Sequence, residues 1–150
     1  MRTFILLVLA ASVYSAEADP NKETTEKLGD GFKVTRTFQS TAGPETIIFI
    51  EDGLKNVLTV TDWMGRTWAY SRDHVGNLVS VVIDQKNSWQ ITYTEKGAIA
   101  AVVGPKRPID IGKDTLQWHK LSLERVHQDG TVEVIVRDPC AMPVSQKDVF

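Results

Sequence analysis

The chain has 150 residues, a formal net charge of −2 and a single cysteine. That length suffices for one domain and not for two. The nearly balanced charge gives no electrostatic drive toward nucleic acid or an anionic membrane surface, and one cysteine excludes an internal disulfide framework.

The N-terminus has the pattern of a cleavable signal peptide. Arg2 supplies the positive charge, and the apolar run at 4–13 is shorter than the roughly 20 residues that a membrane-spanning helix needs. Small residues then allow cleavage after Ser15 or after Ala18. We therefore predict a helical signal peptide over residues 1–16, no stable membrane span after its removal, and a secreted or periplasmic protein. An uncleaved membrane anchor is the alternative.

A β-rich domain is predicted over residues 31–137. Residues 17–30, which precede it, are polar and charged and are predicted to form a flexible leader. Apolar and polar side chains alternate from Phe32 to Phe38, which is typical of a half-buried strand. Residues 46–50 are β-branched and aromatic, and the turn dipeptide Asp52-Gly53 closes that strand.

Short strands then recur about every ten residues, a spacing typical of an antiparallel meander. They are predicted at 57–61, 68–71, 78–83, 89–94 and 99–103. Residues 116–126 are predicted as a long strand that bends or bulges, with a short helix over 115–127 as the alternative. A strand at 131–136 ends the domain, and 138–150 is predicted to be a disordered tail. The predicted fold class is all-β, an antiparallel meander of stacked hairpins.

An internal repeat lies in the middle of the chain. Trp68 and Trp89 are 21 positions apart, and so are Gly76 and Gly97. In each unit the tryptophan begins a strand, and the glycine follows where a turn needs a positive φ. One hairpin cannot bury its apolar face alone, so the units are predicted to stack.

These units resemble the YD repeat, also called the RHS repeat. Residues 72–78 read Arg-Asp-His-Val-Gly-Asn-Leu, close to the family's Tyr-Asp-x-x-Gly-Asn-Leu, and 65–70 resemble its Gly-x-x-Trp-x-Tyr approach. The second unit, 93–99, keeps the Tyr, Gly and aliphatic positions but lacks the Asp. The resemblance covers about residues 49–105, with a degenerate first copy at 49–53.

The resemblance implies a sheet of stacked hairpins in which a few residues define the repeat: Asp73, Gly76 and Gly97. It brings no catalytic residues. Long arrays of the family enclose another domain, which two or three units cannot do. A structural or binding role is therefore expected.

The titratable side chains show no catalytic or metal-binding pattern, so we expect no metal, no cofactor and no enzymatic activity. His74, His119 and His127 lack metal-ligand spacing, and Asp73 and Asp84 are predicted to cap turns. The alternative is a secreted or periplasmic hydrolase whose site joins His119, His127 and an acidic residue through folding.

Aromatic side chains on a sheet are the candidate contact residues, because they stack on sugar rings or grip a protein partner. The candidates are Trp63, Trp68, Tyr70, Trp89 and Tyr93. Trp68 and Trp89 are predicted to belong to the core as well, whereas Trp63 lies in a turn and is predicted to be an exposed contact.

The sequence thus predicts an exported, non-catalytic structural or interaction protein that binds a surface glycan or a protein, and not nucleic acid. A third hypothesis is an accessory or inhibitor protein that is a remnant of a larger repeat protein. Cys140 is predicted to be an exposed thiol in the tail, with an intermolecular disulfide as the alternative, and the oligomeric state is left open.

Overall fold

Eleven strands form in residues 21–140, the part of the chain that the computed structural model describes, and alternating apolar and polar side chains mark most of them. The strands are β1 (Lys22–Leu28), β2 (Gly31–Ser40), β3 (Gly43–Glu51), β4 (Val57–Thr61), β5 (Thr67–Arg72), β6 (Leu78–Ile83), β7 (Asn87–Tyr93), β8 (Ile99–Val103), β9 (Thr115–His119), β10 (Ser122–Val126) and β11 (Val132–Val136).

Two sheets form from these strands. β1 to β8 make one sheet in which the order of the strands equals their order in the chain, and β9 to β11 make a three-stranded sheet. Every neighbouring pair is antiparallel. The predicted all-β antiparallel meander is confirmed, whereas the predicted signal-peptide helix lies outside the described residues.

The core lies between one face of the large sheet and the small sheet. In β5, for example, Trp68 and Tyr70 are buried and the side chains between and after them are exposed, as the two-residue period of a strand requires. Buried side chains of both sheets form one cluster: Val34, Ile47, Phe49, Val60, Trp68, Tyr70, Leu78, Val81, Ile91, Val102, Leu116, Leu123 and Val136.

Part of the predicted flexible leader, residues 17–30, is a strand in the structure. Lys22–Leu28 form β1, which pairs with β2 along its whole length through a two-residue turn at Gly29 and Asp30. All of its side chains are exposed, so backbone hydrogen bonds hold the strand and no apolar burial marks it in the sequence. Residues 17–20 lie outside the described part.

In the C-terminal part of the domain, the structure differs from the sequence prediction in two places. The predicted long strand at 116–126 is two strands, β9 and β10, which turn at Lys120 with a φ of 55°. The predicted disordered tail begins with buried residues, since Asp138 and Pro139 are buried and Cys140 is half-buried. The backbone N–H of Asp138 donates a 2.9 Å hydrogen bond to Ser122 Oγ, which attaches this segment to β10.

Candidate functional site

Asp73 organises the turn between β5 and β6. Its Oδ1 accepts hydrogen bonds from the backbone N–H groups of Val75 at 3.0 Å and Asn77 at 2.9 Å, and its Oδ2 accepts one from the Asn77 amide at 3.1 Å. Gly76 has a φ of 93°, which favours glycine. These contacts explain in physical terms why the motif reads Asp-x-x-Gly-Asn.

The same backbone hydrogen-bond pattern recurs in turns that begin at Asp52, Asp62 and Thr94. Asp52, Asp73 and Thr94 are each 21 positions apart, and they follow strands that run in the same direction, so their turns lie at one end of the sheet. Gly97 takes a φ of 80° in the Thr94 turn. The internal repeat therefore corresponds to three successive hairpins of equal geometry.

The first of these turns is built differently from the predicted Asp52-Gly53 dipeptide. Lys55, not Gly53, takes the left-handed conformation, with a φ of 69°. Gly53 allows a close approach instead, because a Cβ there would lie 2.8 Å from the carbonyl oxygen of Asp30. The turns at Asp30 and Asp52 are thereby packed against each other.

Asp73 and Asp84, the two carboxylates predicted to cap turns, are separated by a strand. Asp73 precedes β6, and Asp84 follows it. Asp84 Oδ1 accepts a 2.9 Å hydrogen bond from the backbone N–H of Thr67. Asp73 therefore caps its own turn as predicted, whereas the Asp84 side chain ties the end of β6 to the start of β5 at the opposite end of the sheet.

Two of the aromatic candidates are core residues. Trp68 and Tyr70 are each 5% exposed. Burial is the main cause that raises the pKa of Tyr70, and electrostatic interactions with Asp138 and Cys140 raise it further. The Tyr70 hydroxyl therefore stays protonated. Neither ring is accessible to a ligand on the surface.

Tyr93 connects the two sheets. Its hydroxyl donates a 2.7 Å hydrogen bond to the carbonyl of Leu78 and accepts one of 2.8 Å from Trp118 Nε1. Trp89, the other repeat tryptophan, is half-buried and packs against the same core as Trp68. The structure thus places these repeat aromatics on one face of the large sheet.

Trp63 is half-buried in the turn between β4 and β5. Its ring meets that of Phe38 edge to face, with centroids 6.0 Å apart and an interplanar angle of 82°. Phe38 belongs to the end of β2, so the pair lies where the Asp62 turn approaches the β2–β3 hairpin.

An open groove of about 590 Å³ is lined by Phe38 of this aromatic pair. We call it the Phe38 groove; among its lining residues are Arg36, Phe38, Ile47, Phe49 and Cys140. Its volume falls within the 300–1,000 Å³ that is usual for ligand sites. Ile47 and Phe49 form its floor and are themselves buried.

Charged groups surround the apolar floor of the Phe38 groove. Arg36 Nε donates a 2.6 Å hydrogen bond to Glu23, and its guanidinium lies 4.8 Å from the centroid of the Phe49 ring. Burial, followed by the charge of Asp138, raises the pKa of the Cys140 thiol to about 12. The groove thus offers apolar contacts beside a positioned guanidinium and a protonated thiol.

Sequence reasoning did not place Arg36, Ile47, Phe49 and Cys140 in a site. The alternation of β2 puts Arg36 and Phe38 on the same face as Val34, which was a usable signal. Nothing local indicated that Cys140 would return to this face, because a long-range contact brings it there.

A cluster of charged side chains lies at one end of the small sheet. Asp114 Oδ2 accepts hydrogen bonds from Arg125 Nε at 2.7 Å and from His127 Nδ1 at 2.9 Å, and His127 Nε2 lies 3.6 Å from Glu133. The Arg125 hydrogen bond lowers the pKa of Asp114. His74 and His119, in contrast, are exposed in other parts of the fold. The cluster joins the loop before β9 to β10 and β11.

No family model matches the chain, and no curated protein matches it at a significant level. Within residues 21–140, no group of three or more His, Cys, Asp or Glu side chains is arranged to hold a metal ion. The same part of the chain contains no helix that is long and apolar enough to cross a bilayer.

Proposed function

We propose that the protein is a non-catalytic binding protein that takes an apolar side chain of a protein partner into the Phe38 groove. The observation that carries this proposal is an open groove of about 590 Å³ floored by core side chains. A groove of this kind is the usual form of a specific contact, in which apolar anchors enter a partly preformed pocket.

A protein partner fits the groove better than a glycan does, because sugar recognition uses exposed aromatic ring faces. Cations lie over two of the aromatic rings on this side of the sheet. Arg36 lies over Phe49 at 4.8 Å, and Arg66 lies over Trp68 at 5.4 Å. What the groove offers a ligand is therefore the edges of rings and aliphatic groups.

The proposal includes export and kinship with YD repeats. The pattern of Arg2 and the apolar run at 4–13 supports export. Three hairpin turns at Asp52, Asp73 and Thr94, with one hydrogen-bond geometry and 21-residue spacing, support the kinship. In this proposal the repeats form a scaffold, and the groove beside them makes the contact.

The experiment uses a phage-displayed library of random peptides, selected against the purified protein, with an oligosaccharide array in parallel. We expect enrichment of peptides that carry a large apolar residue. Their binding changes the tryptophan fluorescence of the protein, and Phe38→Ala and Trp63→Ala weaken it at least tenfold, about 1.4 kcal/mol. Trp63→Phe, which keeps a ring against Phe38, restores most of the affinity.

Leu54→Ala is the matched control, because Leu54 is 84% exposed on a different turn and is the most accessible large apolar residue of the described chain. It should leave peptide affinity unchanged. The proposal fails if oligosaccharides bind and peptides do not, if neither binds, or if peptide affinity depends on Leu54 and not on Phe38 and Trp63. Thermal unfolding of each variant establishes that it remains folded.

A further inference from the structure

The outer edge of β1 is an unpaired edge of the large sheet. Within the described residues, β1 bonds to β2 on one side and to no strand on the other. All seven of its side chains are exposed. The opposite edge of the sheet is covered, because Pro108 forms a bridge to Val103 and the N–H of Ile109 donates to the carbonyl of Val102 at 2.8 Å.

The pairing with β2 determines which backbone groups of β1 point outward. The two-residue turn closes on the pair Leu28 and Gly31, where the two strands exchange hydrogen bonds. Bonded and non-bonded pairs alternate along an antiparallel ladder. The backbone groups of Glu23, Thr25 and Lys27 therefore face away from β2.

A second β1 can pair antiparallel only where outward-facing residues meet outward-facing residues. A twofold axis between Thr24 and Thr25 would break this rule, and it would also place Glu23 opposite Glu26 of the second copy. Axes through Thr24 and through Thr25 both obey the rule. The axis through Thr24 pairs only residues 22–26 of β1 with each other, whereas the axis through Thr25 gives all seven residues of β1 a partner and places Glu23 opposite Lys27.

The charges of β1 are self-complementary in that register. Glu23 of each copy would meet Lys27 of the other, and opposite charges directly across two strands stabilise the pair, whereas like charges destabilise it. Glu23 is already held by the 2.6 Å ion pair with Arg36. Charged residues on an edge usually discourage pairing, but here their order favours one partner, an identical strand.

We propose that a second copy of this chain pairs with β1 antiparallel about a twofold axis at Thr25, so that the large sheet continues through both copies. This interface uses β1, whose Lys22 and Glu23 also line one margin of the Phe38 groove. Its tests measure dimer formation and not peptide affinity, so its failure is distinguishable from failure of the function proposed for the groove. The other exposed edge with apolar side chains, β11, is shorter and faces a bulge between Leu123 and Glu124, which disfavours a flat continuation.

Disulfide trapping tests the register. In a Cys140→Ser background, Thr25→Cys places two thiols opposite each other across the axis, within reach of a disulfide. We expect oxidised Thr25→Cys to form a dimer on non-reducing gels and Thr24→Cys to stay mostly monomeric. A dimer from Thr24→Cys alone, or from neither variant, overturns the proposal.

Charge reversal tests the same interface without a covalent bond. We expect Lys27→Glu to raise the dimer dissociation constant in sedimentation equilibrium about tenfold, because two opposite-charge pairs become like-charge pairs. The double variant Glu23→Lys with Lys27→Glu should recover part of the lost dimer affinity, because it restores opposite charges across the strands but also removes the ion pair between Glu23 and Arg36. Val134→Lys on β11 is the control and should have no effect. A dimer that responds to Val134→Lys and not to Lys27→Glu uses the other edge and refutes the proposal.

Discussion

The indole of Trp118 donates a 2.8 Å hydrogen bond to the hydroxyl of Tyr93. Trp118 belongs to β9 of the small sheet and Tyr93 to β7 of the large one, and their separation along the chain is 25 residues. Because the same hydroxyl donates to the carbonyl of Leu78, one polar atom joins the two layers at the margin of the core.

Tyr93→Phe should therefore lower the free energy of unfolding by about 1–3 kcal/mol, because it removes both partners of the hydroxyl inside a partly buried site. Urea denaturation measures the change. Trp118→Phe, which removes one of the two hydrogen bonds, should cost about 1 kcal/mol. Equal stability of Tyr93→Phe and the unmodified protein would show that this hydroxyl does not fasten the layers.

Asp62 is the buried member of the turn aspartates, at 4% exposed. It accepts hydrogen bonds from the backbone N–H groups of Met64 and Arg66 and from Arg66 Nε at 2.7 Å. Asp62→Ala leaves those donors unpaired and should cost about 2–3 kcal/mol in urea denaturation. Asp62→Asn retains an acceptor for the backbone and should cost less; a larger loss with Asn than with Ala would contradict the role assigned to Oδ1.

Gly76 and Gly97 occupy equivalent positions in two repeats, with φ values of 93° and 80°. Alanine at either position is strained by its Cβ, so each substitution should lower the free energy of unfolding by about 1–2 kcal/mol. Thermal or urea unfolding of both variants tests the equivalence. A penalty at one glycine and none at the other would break the structural match between the hairpins.

Acid should lower the free energy of unfolding, because it protonates carboxylates that accept hydrogen bonds in the folded protein. The side-chain amide of Asn56, and then its backbone N–H, lower the pKa of Asp52 below its ordinary value near 3.8. Since the folded-state pKa is the lower one, its stabilisation is present above about pH 4 and is lost as the pH falls through the folded-state pKa. Asp52→Asn should flatten the decline of stability measured from pH 5 to pH 2.5. Glu95→Gln, in the exposed β7–β8 turn, should leave the profile unchanged; an equal effect of both would assign the decline to overall charge.

The Cys140 thiol should react slowly. Its pKa is raised to about 12 from 9.0, first by burial and then by the charge of Asp138. Because the thiolate is the nucleophile, raising the pKa lowers its fraction at pH 8, and the greater nucleophilicity of a more basic thiolate offsets part of this loss. The reaction with a disulfide reagent at pH 8 should therefore be at least about tenfold slower than in unfolded protein. Asp138→Asn should speed it. A rate equal to that of the unfolded protein would place the thiol in solvent.

Local patterns predicted the meander well. The Asp73–Asn77 turn and the alternation in β5 and β7 depend on neighbouring residues, so sequence spacing reveals them. β1 was missed because its stability comes from backbone pairing, while its side chains are exposed and carry no periodic apolar signal. The Lys120 turn was missed because no glycine marks its left-handed conformation.

The candidate site was harder to predict than the fold. Trp63 was singled out from its place in a turn, but its partner Phe38 lies on a distant strand, and Cys140 reaches the same groove from the end of the domain. The first contact depends on the pairing of β2, β3 and β4 within the large sheet, and the second on the return of the chain after the small sheet; no local spacing encodes either of them.

The agreement between strand order and chain order in the large sheet has a kinetic consequence. Each of these strands finds its partner within the next few residues, so closing every successive loop costs little entropy. Proteins rich in such short-range contacts fold faster than β-sandwiches built from distant strands. The sheet can consequently grow hairpin by hairpin, and the arrival of the small sheet should be the slow step of folding.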